Sequence, residues 1–356
     1  MSKKILLGMS GGVDSSVAAL LLQKQGYEVT GMTMRLRPDE YMCSSQNGGC
    51  CSLDDIDDAR RVCYRLGIEH LVMNFTQEFE RDVIDPFAKE YQAGRTPNPC
   101  INCNRYLKFE EMLRRAKQLG FDAVATGHYA IVRQNEAGRW LLYRSPAGKD
   151  QSYALYSLTQ EQLAHTLFPI GELEKPEVRR LAQEAELPVA KKPDSQEICF
   201  VEDKDYAGFI RRYTGKELPE GDFVDAQGNV LGRHKGITHY TVGQRKGLGI
   251  SFPQPMYVTA IDAEYNRIIL GPEGSQYAKE LVAGDLNWIA FDEPPTELLV
   301  QAKVRYQAMP AQARVVPDAE GQVRVIFDEP QRAVTPGQAV VFYQENLVVG
   351  GGTILK

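Results

Sequence analysis

Two glycines followed by an acid and two serines, Ser10-Gly11-Gly12-Val13-Asp14-Ser15-Ser16, separate the stretch Lys4-Ile5-Leu6-Leu7-Gly8-Met9 from the run Val17-Ala18-Ala19-Leu20-Leu21-Leu22. These residue types in this order can cradle a phosphate. Paired glycines let the main chain approach an anion, and the free N–H groups and positive dipole end of a following helix bind it. The Lys-[Ser/Thr] of a Walker A loop is absent, so cleavage between β and γ phosphates is not the chemistry implied. A second reactive set is Cys100 and Cys103, a C-x-x-C within Thr96-Pro97-Asn98-Pro99-Cys100-Ile101-Asn102-Cys103-Asn104. Its two prolines predict an extended, rigid turn that presents both thiols. Such spacing serves a redox pair, half of a zinc site or cluster ligation. Zinc would have to be completed by Cys43, Cys50 and Cys51, whose C-x6-C-C spacing is not a zinc knuckle. Cys199 is isolated in sequence and Cys63 sits on an apolar helix face; by themselves both read as small buried hydrophobes.

The elements that must position these groups follow from the hydrophobic pattern. Strand Ile5 to Met9 leads to helix Val13 to Gln25, and strand Val29 to Met34 follows. A Cys-, Ser- and Gly-rich loop then precedes a helix from about Leu53 to Leu66 and strand His70 to Asn74. Helix Phe109 to Leu119 and strand Ala123 to Thr126 come later, and Thr159 to Glu186 reads as helical. Strands joined by helical crossovers predict a parallel sheet with ligands at the strands' carboxyl edges. Residues 1–201 are expected to form this domain. Residues 202–280 mix short strands with glycine-rich turns and carry Arg211, Arg212, Arg233, His234, Lys235, Arg245 and Lys246, each readable as solvated surface or as part of a basic face. Residues 281–356 alternate with period two, as in Ala302, Val304 and Tyr306 against Lys303 and Arg305, which predicts a small antiparallel barrel or sandwich.

The chain has 356 residues, 43% of them hydrophobic, ample for packed cores in two or three domains. Its longest aliphatic run falls far short of the roughly 18 residues of a membrane helix. Gly11, Gly12 and Asp14 interrupt any signal-peptide core, so a cytoplasmic location and no membrane partner are expected. Seven clustered cysteines, an odd number, argue for reactive thiols or metal ligands in a reducing compartment rather than a disulfide framework. With a net charge of −6, an RNA partner would need a local basic face.

SGGVDSS, TPNPCINCN, ATGHYA from Ala125, KDQSYAL from Lys149, DSQEICF from Asp194 and TVGQRKGLGI from Thr241 resemble, in order and interval, the bacterial tRNA-specific 2-thiouridylases. The resemblance covers essentially the whole chain. It implies an α/β fold: an N-terminal parallel-sheet ATP-pyrophosphatase domain (adenine nucleotide α-hydrolase-like), a small central domain and a C-terminal antiparallel β-barrel. It implies ATP and Mg2+ as cofactors, with Gly8, Met9, Ser10, Gly11, Gly12, Val13, Asp14 and Ser15 on the phosphates and Met34 and Gly127 at the adenine and ribose. The 2-oxygen of a tRNA wobble uridine (Lys, Glu and Gln type) would be adenylated, making it a leaving group. Cys199 would bring sulfur as a persulfide from a cysteine desulfurase or sulfur-relay protein. Cys103 would be the partner thiol, leaving a Cys103 to Cys199 disulfide to be reduced.

By the same resemblance Asn98, Pro99 and Cys100 would face the target base, and His128, Lys149, Asp150, Gln151, Arg305, Tyr306 and Gln338 would contact tRNA. His128 read alone is as well a structural histidine. Some family members carry aspartate where this chain has Cys100, which puts a carboxylate base there in doubt. The change also offers three thiols, Cys100, Cys103 and Cys199, to a 4Fe-4S cluster with an open iron, the alternative sulfide-dependent mechanism. No other metal site is expected. Two further readings stay open: another ATP-pyrophosphatase, such as an amide-forming ligase or a tRNA lysidine synthase, and a non-enzymatic RNA-binding or iron-sulfur scaffold.

Overall fold

The computed structural model describes residues 2–37, 53–146, 148–194, 198–201, 204–319 and 321–356. Cys43, Cys50 and Cys51, and Ser195 to Glu197 of the DSQEICF motif, lie outside them. The chain divides into two compact units, Met1–Val83, Cys100–Glu202 and Asn346–Val349 in one, and Ile84–Pro99, Asp203–Glu345 and Gly350–Lys356 in the other.

In the first unit, strands β1 (Lys4–Gly8), β2 (Glu28–Arg35), β3 (Glu69–Asn74) and β4 (Ala123–Ala125) join β7 (Thr166–Leu167) in a parallel sheet of order β3-β2-β1-β4-β7. Ile5, Leu6 and Leu7 are fully buried because β1 is central and helices cover both faces. Helix α1 (Val13–Lys24) crosses from β1 to β2, and α2 (Leu53–Leu66) precedes β3. Gly31 of β2 lets α2 approach closely: a Cβ there would stand 2.6 Å from Cys63 Sγ. Cys63 is buried, and burial pushes its thiol up to about 11. A hairpin of β5 (Ala130–Gln134) and β6 (Trp140–Arg144) pairs with Leu347 and Val348 of a later strand.

Three local expectations are corrected. Thr159 to Glu186 is not one helix. Thr159 begins a short helix, Gln160–Ala164, with a reciprocal capping box to Gln162. The chain then lays β7 on the sheet edge, and Pro169 precludes continuation. Helix α3 (Lys175–Glu184) restarts with a proline in its first turn. Second, the helix placed at Phe109 begins far upstream: Pro99–Asn102 is helical, Cys103–Glu111 is a π-helical stretch, and Met112–Gln118 completes it. Cys100 and Cys103 therefore lie on helical backbone rather than an extended turn, since Pro99 takes the first helical position, where its missing N–H costs nothing. Third, the strand that the alternation predicts through Arg305 and Tyr306 ends at Lys303, and those two residues lie in the following turn.

The second unit contains helix α4 (Tyr206–Thr214) and strands β8 (Gly221–Val224), β9 (Val230–His234), β10 (Met256–Asp262) and β11 (Arg267–Pro272), in the order β10-β11-β8-β9. Phe223, Tyr240, Val258, Ile268 and Leu270 form their core. A closed antiparallel barrel follows from β12 (Tyr277–Trp288), β13 (Leu298–Lys303), β14 (Ala311–Pro317), β15 (Val323–Arg332), β16 (Ala339–Gln344) and β17 (Leu347–Ile354), where pairing of β12 with the end of β17 removes the free edges. No described helix is long and apolar enough to cross a membrane.

Candidate functional site

The strand order reverses at β1: the chain leaves to β2 on one side and returns to β4 on the other. The crevice at the carboxyl ends of β1 and β4 is therefore where a ligand of this fold sits. The loop after β1 is tightly fixed. Met9 N donates to Met32 O at 2.8 Å, and Thr33 Oγ1 donates to Met9 O at 3.0 Å. Gly11 is left-handed, φ +67°, and a Cβ there would strike the Asp55 carbonyl oxygen of α2. Gly12 is the extended residue that starts α1, and no side chain caps that helix. Ser15 and Ser16 instead brace the loop, donating to Gly12 O at 3.2 and 2.8 Å, while Ser10 N donates to Ser15 Oγ at 3.3 Å. The start of α1 thus carries main-chain N–H groups with no side-chain cap, the arrangement that takes an anion. Gly127, beyond β4, lies against the same turn: a Cβ would stand 2.7 Å from Asp14 C and Ser15 N. Met34 is half-buried near the carboxyl end of β2.

Charged side chains converge on this loop. Asp14 Oδ1 accepts from Tyr129 Oη at 2.8 Å and from Lys175 Nζ at 2.6 Å, and Lys149 Nζ lies 3.4 Å from Oδ2. Asp194 repeats the pattern, Oδ2 to Lys149 at 2.6 Å and Oδ1 to Lys175 at 2.7 Å, with Arg179 Nη2 at 3.2 Å. Burial opposes ionisation of Asp194, but hydrogen bonds and charge from both lysines outweigh it and hold its carboxyl below the usual range. Lys149 is likewise held protonated, burial being outweighed by the two aspartates. Burial, with the Asp14 charge beside it, pushes the Tyr129 phenol well up, so it stays a donor. Behind the loop, Lys192 bridges Asp55 and Asp58 of α2, at 2.7 Å to each.

The other sequence-predicted residues fall into several settings. Cys100 is exposed, and Cys103 and Cys199 are half-buried. Arg37 Nη2 donates to Cys199 O at 2.8 Å, and Phe200 packs edge-on against Phe79. Next to Cys103, Asn104 is buried and donates to Ala154 O at 2.9 Å. Among the described residues no three His, Cys, Asp or Glu side chains form a group able to hold a metal ion, and Cys100, Cys103 and Cys199 as placed do not make one. His128 pairs with Thr126 Oγ1 at 2.7 Å and packs between Phe109 and Phe168. Burial, then the nearby Lys108 charge, keeps its imidazole neutral. Asp150 accepts from Ser145 N, Ser152 N and Ser152 Oγ, and Gln151 Oε1 accepts from Tyr129 N, so both side chains shape the loop that carries Lys149.

In the second unit, Pro99 is buried and Asn98 half-buried. Gln338 Nε2 donates to Thr96 O at 2.6 Å, and Thr96 N donates to Pro336 O at 2.9 Å. Arg305 Nη2 donates to Val242 O at 2.9 Å and to Thr335 Oγ1. Tyr306 is exposed, with Lys303 Nζ 5.5 Å from its ring centre. Of the basic residues of the central segment, His234 is withdrawn from any basic face: it is buried, Gly236 N donates to its Nδ1, and burial holds its ring neutral. Arg211, Arg212 and Arg233 pair with Glu217, Asp205 and Asp222.

Sequence reasoning missed Tyr129, Lys175, Arg179 and Asp194 as parts of the site. The available signal was Lys175 and Arg179 one helical turn apart, which in sequence is indistinguishable from a solvated face.

The parallel sheet, the uncapped helix start and the cationic surround define the class: an α/β anion-binding domain of nucleotide-binding type, followed by two β domains. The family profiles divide the chain in the same style, the tRNA methyl transferase HUP domain matching residues 3–203, the tRNA methyl transferase PRC-barrel domain 207–272 and the aminomethyltransferase beta-barrel domain 278–354. The chain is 57% identical over 99% of both lengths to the tRNA-specific 2-thiouridylase MnmA of Acetivibrio thermocellus. It is 53% identical to that of Clostridium botulinum strain Alaska E43, over 99% of this chain and 98% of the relative. For Clostridioides difficile strain 630 the figure is 52%, over 100% and 99%. The chain belongs to this family, the tRNA-specific 2-thiouridylases.

Proposed function

We propose that the protein is an ATP-dependent tRNA-uridine 2-sulfurtransferase that converts the wobble uridine of tRNA to 2-thiouridine. The observation that carries the nucleotide half is the uncapped start of α1 ringed by Lys149, Lys175 and Arg179. A methyl donor such as S-adenosylmethionine has no phosphate to use that cradle, whereas ATP does, so the reading follows the thiouridylase relatives rather than the methyl-transfer wording of the domain descriptions. The residues from Gly8 to Ser15 bind the phosphates, and Met34 and Gly127 line the adenosine. Asp14 is a carboxylate at the phosphate end and suits Mg2+, which takes one or two carboxylates alongside phosphate oxygens. Bound there, the ion would neutralise charge on the departing pyrophosphate.

The uridine 2-oxygen attacks the α-phosphorus and pyrophosphate leaves. The terminal sulfur of a Cys199 persulfide is then delivered to C2 and AMP departs with the oxygen: either the Cys103 thiolate attacks Cys199 Sγ and the sulfide freed adds to C2, or the terminal sulfur attacks C2 first and Cys103 then attacks Cys199 Sγ, breaking the Cys199–sulfur bond of the adduct and releasing the thiouridine. A Cys103–Cys199 disulfide remains, and a two-electron reductant resets it. A cysteine desulfurase or relay protein supplies the persulfide. Residues 1–201 carry this chemistry. Residues 202–280 and 281–356 hold the RNA, with Asn98, Pro99, Cys100, His128, Lys149, Asp150, Gln151, Arg305, Tyr306 and Gln338 at the anticodon loop, whose single strand lets a base be flipped out. The test is pyrophosphate release and uridine thiolation on adding tRNA, each with and without thiol alkylation. Alkylation should stop thiolation and leave ATP binding intact; an amide-forming ligase would be indifferent to it, and a scaffold would release no pyrophosphate.

A further inference from the structure

We infer that Lys175 and Arg179 bind the β and γ phosphates of the nucleotide, and that the Asp194 carboxylate stands in for those phosphates when they are absent. The inference rests on the ATP reading above and deepens it. Lys175 and Arg179 lie one turn apart on α3, while Val178 and Ala182 of that helix pack into the core that also holds Val17 and Ala18 of α1. The packing fixes the basic pair beside the phosphate loop. Among the described residues, three cations there, Lys149, Lys175 and Arg179, face two carboxylates, Asp14 and Asp194, and they do so near the positive end of α1. Surplus positive charge at a helix N-terminus is unfavourable by itself and becomes favourable once an anion arrives. Asp194 has the form of an anion already bound. Each of its oxygens takes a lysine, and Arg179 adds a third donor, a set of charge-assisted contacts that a phosphate would accept equally well.

A purely structural ion network makes a different prediction, because breaking it from either side should then act alike. Titration calorimetry with inorganic pyrophosphate and with AMP, on the full chain with Mg2+ present, separates the two. Lys175→Gln and Arg179→Gln should each weaken pyrophosphate binding about tenfold or more, while AMP, which lacks β and γ phosphates, binds as to wild type. Asp194→Asn should strengthen pyrophosphate binding, since the competitor is gone, and Lys175→Arg should restore most of the loss. Thermal melts of the same samples report folding separately. Shifts of Lys175→Gln and Asp194→Asn in the same direction would overturn the inference, as would wild-type pyrophosphate affinity in Lys175→Gln. If wild type itself binds neither ATP nor pyrophosphate, the nucleotide reading falls and this one with it.

Discussion

The two units use their polar residues differently. In the first, Lys149, Lys175, Arg179 and Tyr129 are drawn from separate segments onto two carboxylates beside one loop, so charge is concentrated at a point. In the second, residues assigned to tRNA are tied to the main chain of their own unit: Arg305 to Val242, Gln338 to Thr96. A compact polyphosphate needs a dense fixed charge, whereas an RNA loop is read by a broad surface whose shape must be held first. Substitutions in the first unit should therefore act on ligand affinity and rate, and those in the second partly on stability.

The largest effect is expected at the loop. Asp14→Ala should lower tRNA-dependent pyrophosphate release by roughly 10²–10³-fold, the usual loss when a group acting on developing charge is removed. A phosphate-release assay coupled to pyrophosphatase measures it, and near-normal release would remove the loop from the reaction. Next is Gly127→Ala. Its methyl would stand 2.7 Å from the Asp14 and Ser15 main chain, so the segment after β4 and the first turn of α1 must part. About 1–3 kcal/mol of stability should be lost with a matching fall in ATP affinity, and unchanged denaturant midpoints would disprove the close approach.

Arg305→Ala sharpens the contrast. Its two hydrogen bonds predict a loss of about 1–2 kcal/mol of stability, together with weaker tRNA binding and a flatter salt slope. ATP binding without tRNA should not change. A filter-binding salt titration giving parallel lines of equal affinity would leave Arg305 a purely structural residue.

How much of this could be read from the sequence depended on whether the signal was local. The phosphate loop, the central strands and the period-two barrel were legible because each is fixed by a few adjacent residues. The segment from Thr159 to Glu186 was not, since its composition suits a helix and only sheet-edge pairing and Pro169 break it. Arg305 was misplaced on a strand for a related reason: alternation continues past Lys303 although pairing stops there. The charged surround was invisible because Lys175 and Arg179 reach Asp14 and Asp194 only through the packing of α3 against α1, while Lys149 and Asp194 arrive on separate distant segments.

The smallest predicted effect concerns protonation. His128 is held neutral in the folded protein, its value lying well below the ordinary one. The unfolded chain takes up that proton near pH 6.5, so stability falls as pH drops below this value, by at most about 1.4 kcal/mol per pH unit. His128→Gln should remove that part of the slope in urea melts between neutral and mildly acidic pH. An unaltered slope would mean that the ring is solvated and titrates normally.

The central claim, that one chain couples a phosphate-binding loop to thiol chemistry on tRNA, is tested most directly by mass spectrometry of nucleosides. Unmodified tRNA would be incubated with the protein, ATP, Mg2+ and a persulfide-charged cysteine desulfurase, then digested. The account predicts 2-thiouridine at the wobble position only when ATP is present, with AMP formed alongside it, and none with Cys199→Ser although pyrophosphate is still released. Thiolation at the normal rate in the Cys199 variant, or ATP turnover with tRNA that leaves every uridine unthiolated in the wild type, would contradict it.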